Sequence, residues 1–471
     1  MSFFDAAVCI LFTTLAASYA WGMRGAVIGG EKGAMLPGAF IGLILAWFSG
    51  GGIRECFWIP AAAGLMGMTF GGIEPYGETI GMVLHRGRSD YRPVKGYFGL
   101  AFKGALWFSV CGGFIAFALS AMSGAVYSAA DIIIFCLLIT VIEQIGYRIF
   151  NRPYDKEKGI YPKLYYSLTR REEWGSNLTL LVSMLAMAVI RGDDLALAMI
   201  AGGFFFGGVG WLVAMKFYVL SVFPLKNGKY LFGRLHGKGL IDGWKNMEFA
   251  LGAAGGFGLS LAFCMNYGIV EKYNSFIAQN GRFNVLEPAE GAMPVIMASI
   301  AVLLLAVNAF PLIRSKRGKK VDGFVCDLIE RPLFNVIPML FVLLGSQVAA
   351  RLMTAFMLIF ACALKCAFDM FDKSKLSLLW QAILIAGSAV VFASDIILGG
   401  FGAFWIVFSG TVPYLAAELL HTLYEGKLKG VSVKNTLIKS PFALVYSCFV
   451  AQSILICFAS WKIFGVLYVL K

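Results

Sequence analysis

Two glutamates stand inside an apolar run where lipid alone would not tolerate them. The segment Gly71-Gly72-Ile73-Glu74-Pro75-Tyr76-Gly77-Glu78 lies within residues 58–84, which are otherwise almost wholly apolar. A carboxylate inside a bilayer costs at least about 2.5–3.5 kcal/mol on insertion scales. Such a group pairs with a cation, lines water or holds a proton. Spaced four apart, Glu74 and Glu78 would stack on one face of a continuous helix. Pro75 and the flanking glycines predict that this helix is kinked or broken. Adjacent carboxyls would repel each other and hold a proton at higher pH. That chemistry serves a proton carrier, a cation site or a general acid/base pair.

A second constellation is Trp21-Gly22-Met23-Arg24-Gly25 followed by Gly29-Gly30-Glu31-Lys32-Gly33. Backbone amides freed by glycine, beside the guanidinium fork of Arg24, suit a carboxylate or phosphate. Glu31 and Lys32 add one charge of each sign. The segment is not a P-loop, because the Lys-Ser/Thr ending is missing.

A third set is Lys103, Lys216, Lys245 and Glu248. Lys245 and Glu248 are three apart, which permits a local ion pair. Lys103 and Lys216 are expected to snorkel to the interface. Glu248 is too deep for that and is expected in an interior polar network. Further along, Glu143, Arg351, the Lys365/Asp369 pair, Asp395 and the Glu418/His421 pair interrupt apolar runs. Lys365 and Asp369 are expected to pair with each other, and Glu418 with His421 reads as a structural pair. The Glu-x-x-His spacing has no second copy, so no metal is expected. The cysteines Cys9, Cys56, Cys111, Cys136, Cys264, Cys362, Cys366 and Cys448 lie in or beside apolar runs. They read as small buried hydrophobes.

The elements that must position these groups follow from composition. Hydrophobic residues make up 59% of the 471-residue chain and charged residues 14%, against about 25% charged in a soluble domain. Apolar runs near the length of a bilayer crossing, about 20 residues, recur throughout. The expected fold is all-α, a polytopic membrane helical bundle with about fourteen crossings (12–14). Residues 1–150 form a first unit carrying the Arg and Glu motifs, 177–291 a second, and 292–471 a C-terminal unit. Phe70-Gly71-Gly72-Ile73 matches Phe206-Gly207-Gly208-Val209, and Lys103 before Gly112-Gly113-Phe114 matches Lys245 before Gly255-Gly256-Phe257. A parallel internal repeat would produce these matches, as would chance in glycine-rich helices. The paired glycines read first as close helix contacts.

The net charge of +13 concentrates in loops at 85–95, 148–171, 226–245, 314–331 and 427–439. Placing these in the cytoplasm gives alternating crossings with both termini outside. The first run lacks a basic leader and carries Asp5, so it reads as a retained helix. No nucleic-acid partner, nucleotide loop or cofactor motif is evident.

Function is expected at a multi-pass site in the plasma (inner) membrane. A secondary carrier, proton- or cation-coupled, would move a small anionic or sugar-like solute. Arg24, Glu31, Lys32, Glu74, Glu78, Lys245 and Glu248 would line its path, with no cofactor. The alternative is an intramembrane enzyme on a lipid-linked or sugar substrate, with Glu74 and Glu78 as acid and base.

Overall fold

The computed structural model describes residues 1–23, 34–72, 74–85, 87, 91–167, 170, 172–223, 243–300, 302–303, 306 and 336–354. The described residues are overwhelmingly helical. In order they form α1 (Phe3–Met23), α2 (Met35–Ser49), short α3 (Gly51–Glu55), α4 (Trp58–Gly72), α5 (Gly77–Leu84), α6 (Pro93–Ser123), α7 (Ala129–Phe150), α8 (Trp174–Arg191), α9 (Asp194–Val222), α10 (Gly243–Met265) and α11 (Tyr267–Asn280). A 3-10 turn (Glu287–Ala292) and α12 (Ile337–Leu343) follow. Six helices among these residues are long and apolar enough to cross a membrane: α1, α6, α7, α8, α9 and α10. By length and composition, the described helices are compatible with a membrane helical bundle. The sequence-predicted runs beyond residue 354 lie outside the described residues.

Antiparallel neighbours are fixed by glycine. A Cβ on Gly104 would fall on Gly207 O, one on Gly203 on Phe108 O, and one on Gly112 on Met199 O. As the α6 number rises the α9 number falls in step, so the two helices run in opposite directions with their backbones in contact. Gly38 and Gly64 do the same for α2 and α4, each meeting the other's carbonyl. Apolar lipid offers no hydrophobic drive between helices, so such close van der Waals approach must supply the association.

At the centre runs α6, buried on every side from Leu106 to Ser123. Its 31 residues span roughly 46 Å at 1.5 Å per residue. The outer helices keep an apolar surface. Ile134, Leu137, Leu138, Val141, Ile145 and Ile149 on α7 are all exposed, as expected of a face turned to acyl chains.

The turn between α8 and α9 shows how polar groups are tied down away from the basic loops. Asp193 caps α9 by accepting from Ala196 N at 2.9 Å. Its other oxygen accepts from Tyr127 OH at 2.8 Å, and Tyr273 OH lies 3.4 Å from the first. Burial raises the Asp193 carboxyl above its usual range, with the bonds from Ala196, Ser120, Tyr127 and Tyr273 pulling the other way. A raised value means that the folded state holds the proton more tightly than the unfolded chain. The resulting stabilisation is full below the unfolded carboxyl range and is lost as pH rises through the folded value. Measured by thermal unfolding in detergent, the gap between wild type and Asp193→Asn should shift in favour of wild type on acidification from neutral. A pH-independent gap would contradict a shifted proton. Tyr127→Phe should cost about 1–3 kcal/mol by leaving a buried acceptor unmet.

Candidate functional site

The run 58–84 is not one helix. α4 ends at Gly72 and α5 begins at Gly77, so Glu74, Pro75 and Tyr76 form a non-helical bridge. Glu78 sits in the first turn of α5. The break undoes the stacking that a continuous helix would impose. Instead Glu74 points at the start of α8, where its Oε1 accepts the Glu173 N–H at 2.9 Å. The positive end of the 18-residue α8 favours an anion there.

Lys103 occupies the middle of the site. It is wholly buried, about 15 Å along α6 from Pro93 at 1.5 Å per residue. The expectation that it snorkels is corrected: helices and the loop before α8 close over it, leaving no route to water. Its ammonium donates to Pro75 O at 2.7 Å, Thr79 Oγ1 at 3.1 Å and Glu172 Oε1 at 2.6 Å. An ammonium has three donors, and all are used. Glu74 Oε2 lies 4.0 Å away, an ion pair without a hydrogen bond. Pro75 O is a carbonyl that the helix break leaves without a helical partner, so Lys103 heals the break.

Glu172 is fixed in turn. Its Oε2 accepts the Tyr166 N–H at 2.7 Å, while Thr79 Oγ1 donates to Tyr166 O at 3.1 Å. The Tyr166 ring lies 5.4 Å from the Lys103 ammonium. Burial raises the Tyr166 phenol, and nearby Glu172 adds to the rise. The loop before α8 is thereby folded inward onto α5 and α6.

On the other side Tyr76 meets an aromatic wall. Its ring is 6.1 Å from Trp107, 5.2 Å from Trp211 and 6.2 Å from Trp244. Trp21 stacks on Trp107 at 5.7 Å. The Tyr76 hydroxyl donates to Glu248 Oε1 at 3.0 Å, which ties the broken helix to α10. Glu248 is buried. Two buried polar atoms, Trp211 Nε1 and Tyr166 OH, meet no hydrogen-bond partner among the described residues.

Of the sequence-predicted site residues, the structure gathers Glu74 and Glu248 around Tyr76, with Glu78 in the adjoining turn. Arg24, Glu31 and Lys32 lie outside the described residues, as does the side chain of Lys245. Lys216 on α9 is exposed. Glu143 is buried on α7, and Arg351 lies 5.8 Å above the Trp58 ring. Lys365, Asp369, Asp395, Glu418 and His421 are outside the described residues. Sequence reasoning missed Glu172 and Glu173, which sit among polar loop residues and carry no apolar context to mark them. Among the described residues no group of His, Cys, Asp or Glu is arranged to hold a metal ion. No protein-family model, curated protein or solved structure matches the chain.

Proposed function

We propose that the protein is a secondary carrier whose solute and coupling site is the break between α4 and α5. The observation that carries this reading is the unwound Glu74-Pro75-Tyr76 bridge, held among ionised groups in a bundle of lipid-facing helices. Discontinuous helices at such depth supply backbone groups and charges to a solute without exposing them to lipid. Glu74, Lys103 and Glu172 form a charge-compensated clamp that keeps the bridge in place. Glu74 is anchored to α8, so it acts as a fixed anion. Glu78 and Glu248, flanking Tyr76, are the carboxyls that take up the coupling proton or cation.

Of the two solute classes, the sugar-like one fits the aromatic wall better. Indole and phenol faces offer apolar contact to the C–H faces of a sugar ring, and carboxylates accept from its hydroxyls. The unmet Trp211 N–H would gain an acceptor from a hydroxyl oxygen. An intramembrane enzyme would need Glu74 free to exchange a proton with substrate, and its Oε1 is already taken by the Glu173 N–H of α8.

The test uses purified protein in proteoliposomes with a trapped pH-sensitive dye and an imposed proton gradient. A panel of neutral sugars and polyols is added from outside. At least one should move protons with it, and Glu248→Gln and Glu78→Gln should lower that flux by tenfold or more, roughly the scale of losing one proton-transfer group. If both variants keep every gradient-driven flux, the carrier reading fails. Turnover of a substrate in detergent, with no gradient, would favour the enzyme.

A further inference from the structure

α1 and α10 cross antiparallel with their backbones close. A Cβ on Gly252 would fall on Ala17 O and one on Gly256 near Thr13 O. Extending that register toward the start of α1 brings Cys264 beside Ala6, and its sulfur does lie 3.9 Å from Ala6 O. Cys9 follows Ala6 by one turn of the same helix. Cys9 and Cys264 therefore sit at the same corner of the crossing, both as free thiols. Cys9 is fully buried, and Cys264 is partly exposed one residue from the end of α10. The same corner is strapped by the Met1 ammonium, 3.1 Å from Glu271 Oε1.

This corner is at the end of the bundle opposite the basic loops 85–95 and 148–171. The distribution of Lys and Arg places those loops in the cytoplasm and the corner outside. Outer compartments are where disulfides form and persist.

We propose that Cys9 and Cys264 form an intramolecular disulfide that staples α1 to α10. The partly exposed Cys264 thiolate attacks the disulfide of an outer-compartment thiol oxidase, giving a mixed disulfide and freeing one oxidase thiol. The Cys9 thiolate then attacks the Cys264 sulfur and expels the second oxidase thiol. The two protein thiols lose two electrons and two protons, and the oxidase disulfide gains them. The alternative is that two small side chains merely fill the crossing. The staple has a consequence that packing lacks: it fixes the helix that carries Trp21 against the helix that carries Glu248.

The test counts thiols in the full-length protein. Membranes are quenched in acid, and the protein is labelled with maleimide in denaturant before and after reduction. Reduction should add two labels among the ten cysteines, and a peptide joining Cys9 to Cys264 should be found by mass only in the unreduced sample. Cys9→Ser should abolish the difference. Equal label counts before and after reduction would overturn the proposal. So would a difference that persists in Cys9→Ser, which would assign the bond to another pair. Labelling in denaturant makes the reading independent of whether the variant folds.

Discussion

Lys103→Met should lower stability by about 3–5 kcal/mol, the usual cost of removing one partner from a buried ion pair. The cost does not come from a lost attraction alone. Without the ammonium, Pro75 O, Thr79 Oγ1 and Glu172 Oε1 each lose a donor, and two carboxylates, Glu74 and Glu172, lose the cation that both face. Glu74, Thr79 and Glu172 are buried, so water replaces the lost ammonium poorly. The double variant Lys103→Met with Glu172→Gln should regain part of the loss, because it removes a stranded charge together with its partner. Thermal unfolding in detergent measures both. A double variant no better than the single one would show that Glu172 is not the main partner. A single variant as stable as wild type would remove Lys103 from the centre of the site.

Gly207→Leu should be more damaging still. The α6 and α9 backbones touch where Gly104 and Gly207 face one another, and a Cβ on either would lie on the other's carbonyl. Backbone cannot rotate out of the way as a side chain does. The two helices must separate along the whole crossing, and the Trp211 ring packed over Gly104 moves with them. Overpacking usually costs about 1–3 kcal/mol. Gly207→Ala is expected in that range, and Gly207→Leu to leave no monodisperse folded protein on size-exclusion chromatography. Gly291→Leu, at a position with no neighbour in reach, is the control that should behave as wild type. If Gly207→Leu elutes and melts like that control, the α6–α9 contact is not as close as described.

The fold class was legible because a bilayer leaves a plain signature, long apolar runs and basic loops. The break at Glu74 was legible for a local reason: Pro75 and the glycines on both sides cannot continue a helix cleanly. Glu74 and Glu248 stood out because a carboxylate in an apolar run contrasts with its neighbours. Lys103 stood out too, but its place near the start of the apolar run that begins around Tyr97 made the interface look close. Only the folded structure shows that α6 is the central helix, enclosed on all sides. Glu172 and Glu173 were invisible for the opposite reason. They lie in a polar loop where acids are ordinary, and what recruits them is the inward fold of that loop onto Thr79 and Lys103. The aromatic wall is likewise a tertiary fact, since Trp21, Trp107, Trp211 and Trp244 come from four helices far apart in sequence.

Gly77 offers the most direct test of whether the break opens to water. It is exposed beside Tyr76 and Glu78, and a Cβ there would meet only the edge of Trp244 at 3.9 Å, so Gly77→Cys should fold normally. Sealed vesicles are treated with a membrane-impermeant maleimide from the side of the basic loops, and labelling is read by peptide mass. The lipid-facing Ile134→Cys serves as reference. Gly77→Cys is expected to label far faster than the reference and to be slowed by a transported solute. Labelling as slow as at Ile134, on either side of the membrane, would mean the polar centre is sealed and works only as a structural clamp.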